Sequence, residues 1–165
     1  MKINQPTLAI DPGYDRMGWA VGGKVSGSIQ LIEYGCAQTD AKDSLAHRYQ
    51  AIITYLTKII KEFEPSHLAI ESVFFSKNQK TAMKVAEVRG IIIGICLEHG
   101  LEYSEYNPGS IKLAVTGNGR ADKRAVEKMV RLECNLLNEP IVDDAVDAIA
   151  VLMTHLYQPT QISPE

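Results

Sequence analysis

The sequence predicts a single α/β domain built on a mixed five-stranded sheet. The chain has 165 residues, 45% of them hydrophobic, which is enough for one domain to bury its own core. Three strand-like segments with short links open the chain, and such segments form an antiparallel meander. Further strands then alternate with helices, a pattern typical of parallel strands added to a sheet. We expect the domain to span residues 1–157 and a disordered tail to occupy residues 158–165.

The first three strands are marked by short apolar runs that end at turn residues. Residues 7–10 read Thr-Leu-Ala-Ile and stop at an Asp-Pro-Gly sequence, which indicates a strand followed by a turn. Residues 18–21 and 29–37 are the next two strands, joined by glycine-rich connections. These three segments make up the predicted meander.

A long amphipathic helix follows the meander. Either Asp43 or Ser44 can cap its first turn, and Pro65 stops it. Apolar residues at helical spacing form the face that we expect to pack on the sheet: Leu45, Tyr49, Ile52, Leu56, Ile59, Ile60 and Phe63.

The second half of the chain alternates strands and helices. Residues 68–71 and 101–106 are the fourth and fifth strands. We expect helices over residues 81–98, 123–132 and 144–156. This order extends the sheet with two parallel strands and covers it with helices.

The predicted helix over residues 81–98 is apolar on most sides. Gly90 and Gly94 would allow another helix to approach it closely. One interpretation is an interface with a second copy of the chain, since a surplus apolar face marks an interface. The alternative is a central helix covered on both sides within one domain. The apolar residues that surround this helix, here called the apolar girth, are Ile91, Ile92, Ile93 and Ile95.

Cysteine usage and hydropathy favour a cytoplasmic protein. Cys36, Cys96 and Cys134 are far apart, which argues against a disulfide framework and against a zinc site, so we expect buried thiols in a reducing compartment. The longest apolar run, residues 91–97, is too short to cross a bilayer, and we expect no membrane association. The first residues lack the apolar segment of a signal peptide.

The charges are unevenly distributed along the chain. Net charge is −3, yet residues 77–131 hold 10 basic and 6 acidic side chains, whereas residues 132–165 hold 6 acidic and no basic ones. A basic middle beside an acidic end can bind phosphates while metal ions neutralise the carboxylates. An ordinary mixed-charge surface explains the same numbers equally well.

Four carboxylates occupy positions that the predicted fold brings together. Asp11 and Glu71 end the first and fourth strands, which we expect to be neighbours in the sheet. Asp144 and Asp147 are three residues apart near the start of the last helix, hence on one helical face. That face continues through apolar residues and therefore points inward.

Each carboxylate also has a structural explanation. Asp11 precedes Pro-Gly and fits a turn residue, and acids such as Asp144 and Asp147 often complement a helix macrodipole. Asp143 fits best as a helix cap. Glu71 is harder to explain structurally, because an ionised carboxylate at the end of a buried strand needs a partner.

Four converging carboxylates would repel one another unless cations bind among them. Oxygen ligands with no Cys or His nearby favour magnesium or manganese over zinc. Two such ions about 4 Å apart can activate water and stabilise the leaving oxygen of a phosphodiester. The cluster therefore predicts a metal-dependent nuclease that needs no Ser, Cys or His nucleophile.

Four motifs together resemble the RuvC family of Holliday junction resolvases. They match in order from residue 8 to residue 155, nearly the whole chain. The matching stretches are Leu8-Ala9-Ile10-Asp11-Pro12-Gly13, Ala69-Ile70-Glu71-Ser72-Val73-Phe74-Phe75-Ser76-Lys77-Asn78, Val88-Arg89-Gly90 and Asp144-Ala145-Val146-Asp147-Ala148-Ile149-Ala150.

The resemblance implies a ribonuclease H-like fold and a homodimer. It implies paired, symmetric nicks across four-way junction DNA with two Mg²⁺ ions per subunit, for which Mn²⁺ substitutes. By matching position, the metal-binding and catalytic carboxylates are Asp11, Glu71, Asp144 and Asp147. Some members have histidine at the position of Asp144, and this chain has the all-carboxylate version. The family works beside the junction-binding and branch-migration proteins RuvA and RuvB.

The resemblance and the residues both point to DNA contacts. Phe74 matches an aromatic placed against junction bases, and Lys112 and Lys123 match basic residues near the cleaved strand. Phe74 also lies on a loop with Lys77, where an aromatic can stack on an unpaired base, although the residues alone do not decide between Phe74 and Phe75. Arg120 lies in a glycine-rich turn before a helix, suited to phosphate contact, and a simple loop is the alternative.

Two other functions fit parts of the sequence. An actin-like or sugar-kinase-like phosphotransferase also opens with a strand and Asp-Gly, but it needs a duplicated unit and a second glycine-rich loop. A non-catalytic DNA-binding scaffold would be expected to lack one of the four carboxylates, and all four are present. Both remain alternatives to the nuclease.

Overall fold

The computed structural model describes residues 3–72 and 79–158. The strands are β1 Thr7–Asp11, β2 Arg16–Val25, β3 Ser28–Gln38, β4 His67–Glu71 and β5 Glu102–Tyr106. The helices are α1 Leu45–Phe63, α2 Gln79–Glu98, α3 Pro108–Thr116, α4 Lys123–Glu133 and α5 Asp143–Tyr157. Of the predicted tail, only Gln158 falls within the described residues.

The strands form one sheet in the order β3-β2-β1-β4-β5. β1, β2 and β3 pair antiparallel, and β4 pairs parallel with both β1 and β5. The predicted meander with two added parallel strands is confirmed. Ile10 pairs with Ile70, so the residues that follow them, Asp11 and Glu71, end neighbouring strands at the same edge of the sheet.

Alternating side chains divide the core into two layers. Leu8, Ile10 and Ile70 point to the face covered by α1 and α2. On the opposite face Ala9 and Ala69 pack in the core with α3, α4 and α5. Small side chains on this face leave room for α5 to lie close to the sheet, and the middle of α5 is buried on nearly every side.

Local sequence signals explain the ends of α1. The Ser44 side chain accepts a hydrogen bond from the backbone N–H of His47, so Ser44 rather than Asp43 is the cap. At the other end Glu64 adopts a left-handed conformation, and its N–H donates to the carbonyl of Ile60. Pro65 follows directly and prevents continuation of the helix.

Helix α3 was not among the predicted elements. Asn107 caps it, Pro108 occupies its first turn, and Gly117 ends it in a left-handed conformation. It is only nine residues long, and its buried side chains are Ile111 and Val115. A helix with so few inward residues shows almost no periodicity, which is why the sequence pattern did not indicate it.

The start of α5 and the placement of two thiols correct earlier expectations. Asp143 is the first residue of α5, whereas the cap position belongs to Val142, which makes no side-chain capping bond, so the prediction that Asp143 caps the helix is wrong.

Cys96 is buried as expected, but Cys36 and Cys134 are only half-buried, and all three are unpaired. Within the described part of the chain, no helix is both long and apolar enough to span a membrane.

Candidate active site

The four carboxylates lie near one another where β1 and β4 end and α5 begins. Asp11 and Glu71 are placed there by the parallel pairing of their strands. Asp144 is placed by the close approach of α5 to β2: a Cβ at Gly18 would lie 1.9 Å from the backbone oxygen of Asp144. Only glycine permits this contact, so β2 fixes the first turn of α5 beside the strand ends.

Asp11 and Glu71 form a half-buried, hydrogen-bonded pair. Burial, then the negative charges of Glu71 and Asp147, raise the pKa of Asp11 to about 8. Burial also raises the pKa of Glu71, against the hydrogen bond from Asp11. Two carboxyl groups in this arrangement hold a proton between them at neutral pH unless a cation replaces it.

Asp144 and Asp147 are instead paired with basic side chains. Arg16 Nε donates to Asp144 Oδ2 at 2.6 Å, and Lys123 Nζ donates to Asp147 Oδ2 at 3.2 Å. Lys123 Nζ also lies 3.5 Å from Asp143 Oδ2. Burial raises the pKa of Asp147, and Lys123 opposes that rise. The hydrogen bond with Asp144 raises the pKa of Arg16.

The basic residues predicted to contact DNA lie partly beside these carboxylates. Lys112, on α3, is close enough that its charge opposes the raised pKa of Glu71. Lys123 begins α4 and reaches Asp147. Arg120 is exposed in the turn before α4, which brings it to the same end of that helix. Phe74 and Lys77 lie outside the described residues.

Sequence reasoning missed Arg16 and Cys36. Arg16 is on β2, and its strand pairs with β3 so that Gly18 lies opposite Cys36. Burial, then the charge of Asp144, raise the pKa of the Cys36 thiol, which therefore remains protonated. An Arg five residues after Asp11 carries no periodic signal, and only the antiparallel return of β2 brings it to the site.

The donor set fits a hard divalent cation. It consists of carboxylate oxygens, which Mg²⁺ and Mn²⁺ prefer, and the carboxyl groups of Asp11 and Glu71 are half-buried and hydrogen-bonded to each other. As they stand, no three His, Cys, Asp or Glu side chains among the described residues are gathered closely enough to hold a metal ion. Asp144 and Asp147 are engaged by Arg16 and Lys123, so binding would require these ion pairs to rearrange.

Comparisons with known proteins agree with this geometry. Residues 7–155 match the family model described as crossover junction endodeoxyribonuclease RuvC. A protein of that name from Finegoldia magna is 41% identical over 150 residues, covering 91% of this chain and 92% of the relative. Another, from Roseiflexus sp., is 40% identical over 151 residues, covering 92% of this chain and 90% of the relative.

Solved structures show the same fold. T. thermophilus RuvC in complex with a Holliday junction substrate superposes with a TM-score of 0.85 at 27% identity, over 92% of this chain and 93% of that one. The yeast mitochondrial Holliday junction resolvase Ydc2 gives a TM-score of 0.64 at 11% identity, over 91% of this chain and 79% of that one. The second likeness concerns the fold alone.

Proposed function

The chain belongs to the RuvC family of crossover junction endodeoxyribonucleases, and we propose that it resolves four-way DNA junctions by hydrolysing phosphodiesters at Asp11, Glu71, Asp144 and Asp147. It is a DNA nuclease of recombination and repair with the ribonuclease H-like fold. The observation that carries the assignment of the site is the convergence of four carboxylates from β1, β4 and α5 at one sheet edge.

The nuclease depends on a divalent cation, and we propose Mg²⁺, two ions per subunit, with Mn²⁺ as a substitute. Asp11, Glu71, Asp144 and Asp147 would hold them, and the bound ions would supply a Lewis acid that activates water and stabilises the leaving oxygen. Asp11 and Glu71 must release the proton they share before their oxygens become ligands. Hydrolysis then requires no covalent intermediate with the protein.

Basic side chains around the carboxylates are the proposed DNA contacts. Lys112, Arg120 and Lys123 come from α3, α4 and the turn between them, so one continuous segment can follow a phosphate backbone. Lys123 is 58% exposed even though it pairs with Asp147, which leaves donors free for a phosphate. By family position we also propose that Phe74 stacks on junction bases and that Lys77 contacts the same strand.

We propose that the working unit is a homodimer that uses one face of α2. Val88, Ile92 and Cys96 recur every four residues and bury the other face. A Cβ added at Gly90 or Gly94 would meet nothing within 4 Å in the described structure. Glycine costs about 1 kcal/mol in a helix interior, so two glycines on an open face are better explained by a close partner helix.

The surroundings of the enzyme follow from the family rather than from the geometry. We propose that it acts in the cytoplasm, where its unpaired thiols stay reduced, and beside RuvA and RuvB on the same junction. One domain over residues 1–157 carries the nuclease in this proposal. Pull-down with RuvA or RuvB and junction DNA would test the partnership.

Cleavage assays on a panel of substrates test the function. With Mg²⁺ we expect paired nicks in four-way junctions and much slower cutting of linear duplex and of an RNA–DNA hybrid. Glu71→Gln and Asp147→Asn should each lower cleavage by at least about 10³-fold, because each removes a charged ligand oxygen. Junction binding should survive, since phosphate contacts dominate affinity.

Asp143→Asn is the matched control for Asp147→Asn. Both changes remove one charge from α5, but the Asp143 side chain is 73% exposed and that of Asp147 is 34% exposed. The control should cleave at nearly the wild-type rate. Normal cleavage by Asp147→Asn, or loss of cleavage by Asp143→Asn, would show that the inward acids of α5 have been assigned wrongly.

A further inference from the structure

Arg16 contacts the carboxylate cluster from strand β2. Its Nε donates to Asp144 Oδ2 at 2.6 Å, with side-chain exposures of 43% for Arg16 and 24% for Asp144. The contact spans 128 positions in the sequence, so the fold creates it rather than local chain geometry. An ion pair with this short donor–acceptor distance orients the carboxylate as well as neutralising it.

Strand β2 holds Asp144 at two points. The backbone of Asp144 packs on Gly18, and its side chain is bound by Arg16, two residues earlier on the same strand. Residues two apart on a strand share a face, so both contacts come from one side. Arg16 therefore occupies the Oδ2 oxygen of Asp144, and a cation that used this oxygen as a ligand would compete with the guanidinium for it.

The pairing of Asp144 differs from that of Asp147. Lys123 divides its charge between Asp147 and Asp143, at 3.2 and 3.5 Å, and its side chain is 58% exposed. Among the described residues, Arg16 forms an ion pair with one carboxylate, that of Asp144. Arg16 therefore forms one short ion pair, with Asp144, whereas Lys123 is shared between two carboxylates at longer distances.

We propose that Arg16 is a positioning residue that occupies Asp144 until a divalent cation binds, and so sets the cation concentration at which the site fills. The inference rests on the proposed function, because it takes Asp144 as a metal ligand. Two cations beside one carboxylate repel each other, so a fixed guanidinium lowers the affinity for a metal ion. Because the pair is partly exposed, salt will reduce the effect.

Manganese binding to the DNA-free protein tests the proposal without measuring cleavage. We expect Arg16→Gln to bind Mn²⁺ at least about fivefold more tightly than the wild type at low salt, measured by electron paramagnetic resonance. Arg16→Lys keeps the charge and should lie closer to the wild type. Lys24→Gln removes the same charge from the far end of β2, about 26 Å along the strand, and should stay within about twofold of the wild type.

Asp144→Asn separates this proposal from the proposed function. It should weaken Mn²⁺ binding, and adding Arg16→Gln to it should produce no further tightening, because the shared partner is gone. Equal Mn²⁺ binding by wild type and Asp144→Asn would overturn the assignment of Asp144 as a ligand, and this inference with it. Weaker binding by Asp144→Asn with no tightening by Arg16→Gln would overturn the role of Arg16 alone.

A spectroscopic measurement on the wild-type protein avoids reliance on variants. The Arg16 Nε–H proton, bonded to Asp144, should exchange slowly with solvent in the absence of divalent cation. Addition of Mg²⁺ should shift its resonance and accelerate its exchange as the bond is released. An unchanged resonance at saturating Mg²⁺ would show that Arg16 keeps its bond, and the proposal would fail.

Discussion

Single residues at this site act mainly through charge compensation. Four acids close together repel one another. Arg16 pairs with Asp144 and Lys123 pairs with Asp147, while the raised pKa of Asp11 favours a proton held between Asp11 and Glu71. A divalent cation that bound to these carboxylates would have to replace Arg16, Lys123 or the proton, because these partners already compensate the negative charge. In the proposed function, the displaced basic side chains would then be available for phosphate oxygens of the DNA.

Salt dependence of junction binding tests the basic residues. Lys112→Ala and Lys123→Ala should each reduce the slope of log affinity against log salt by roughly one unit, because each removes one phosphate contact. Lys58→Ala, on the outer surface of α1, is the control and should leave the slope unchanged. An unaltered slope in both test variants would place these lysines away from the DNA.

The sequence predicts the role of a residue when that role depends on its own strand or helix, and it does not when the role depends on a partner far away in the chain. Asp11, Glu71, Asp144 and Asp147 stand at element ends that periodicity marks, and the structure brings them together. Arg16 was missed because its partner is 128 positions away, and a lone Arg at the start of a strand looks like a surface charge. The misplaced cap at Asp143 has a similar cause, since its side chain pairs with Lys123 instead of the helix N-terminus.

At the scale of elements, α5 connects the site to the core. Its first five residues include Asp144 and Asp147, and the buried residues of its middle anchor it over the small side chains of the sheet. Strand order and pairing direction could be predicted from the alternation of strands and helices along the chain, and the long helices from their length and their apolar residues. The short helix α3 was not, since its stability comes from packing on α5 and from its caps rather than from its own pattern.

Gly18→Ala tests the contact between β2 and α5. The new Cβ would lie 1.9 Å from the Asp144 carbonyl oxygen, so the first turn of α5 must move. We expect a loss of about 1–3 kcal/mol in the free energy of unfolding and a cleavage rate reduced at least tenfold. Junction affinity should change little, which gel-shift titration can verify. Wild-type cleavage by this variant would mean that the position of Asp144 tolerates displacement.

The far end of α5 should make stability depend on pH. His155 stacks on His67 of β4, with ring centroids 4.4 Å apart, and its Nδ1 lies 2.9 Å from the Tyr106 hydroxyl. Burial, then the charge of His67, lower the pKa of His155 to about 4. Burial lowers the pKa of His67 as well, and Glu102 opposes that shift.

The sign of this effect follows from proton binding. Between pH 6.5 and about 4 the unfolded chain protonates this histidine while the folded chain keeps it neutral, so the free energy of unfolding falls as the pH drops through that range. We expect His155 to contribute a loss of about 1–3 kcal/mol. Urea denaturation of wild type and His155→Gln should show the variant to be less pH-dependent. Parallel curves would contradict the assignment.

The whole molecule presents two surfaces with different tasks. The carboxylates and the basic segment from α3 to α4 form the proposed DNA surface, and the open side of α2 lies on the layer across the sheet from α5. A four-way junction has two equivalent strands to cut, and one cluster can cut one strand at a time. Two identical sites at a fixed separation, as a symmetric dimer provides, would match this geometry.

Variants of α2 can distinguish the interface from the core. Ile92 is fully buried, and Ile93 and Ile95 are half-buried and pack against the core beside α1, so only part of the apolar girth is open to a partner. Gly94 faces open space, and Leu97, one turn further, is 52% exposed. Gly94→Arg should therefore yield folded monomers, whereas Ile93→Glu should destabilise the fold itself. Sedimentation and circular dichroism separate these two outcomes.

A monomer of Gly94→Arg would keep its carboxylate cluster but lose the pairing of cuts. We expect it to nick junctions singly, and mixed dimers with one Glu71→Gln subunit should do the same because one of their two sites is inactive. Both should release nicked junctions instead of resolved duplexes when supercoiled cruciform DNA is the substrate. Coordinated paired cuts by a wild-type protein that sediments as a monomer at micromolar concentration would contradict the dimer. In that case the two glycines of α2 would need another explanation.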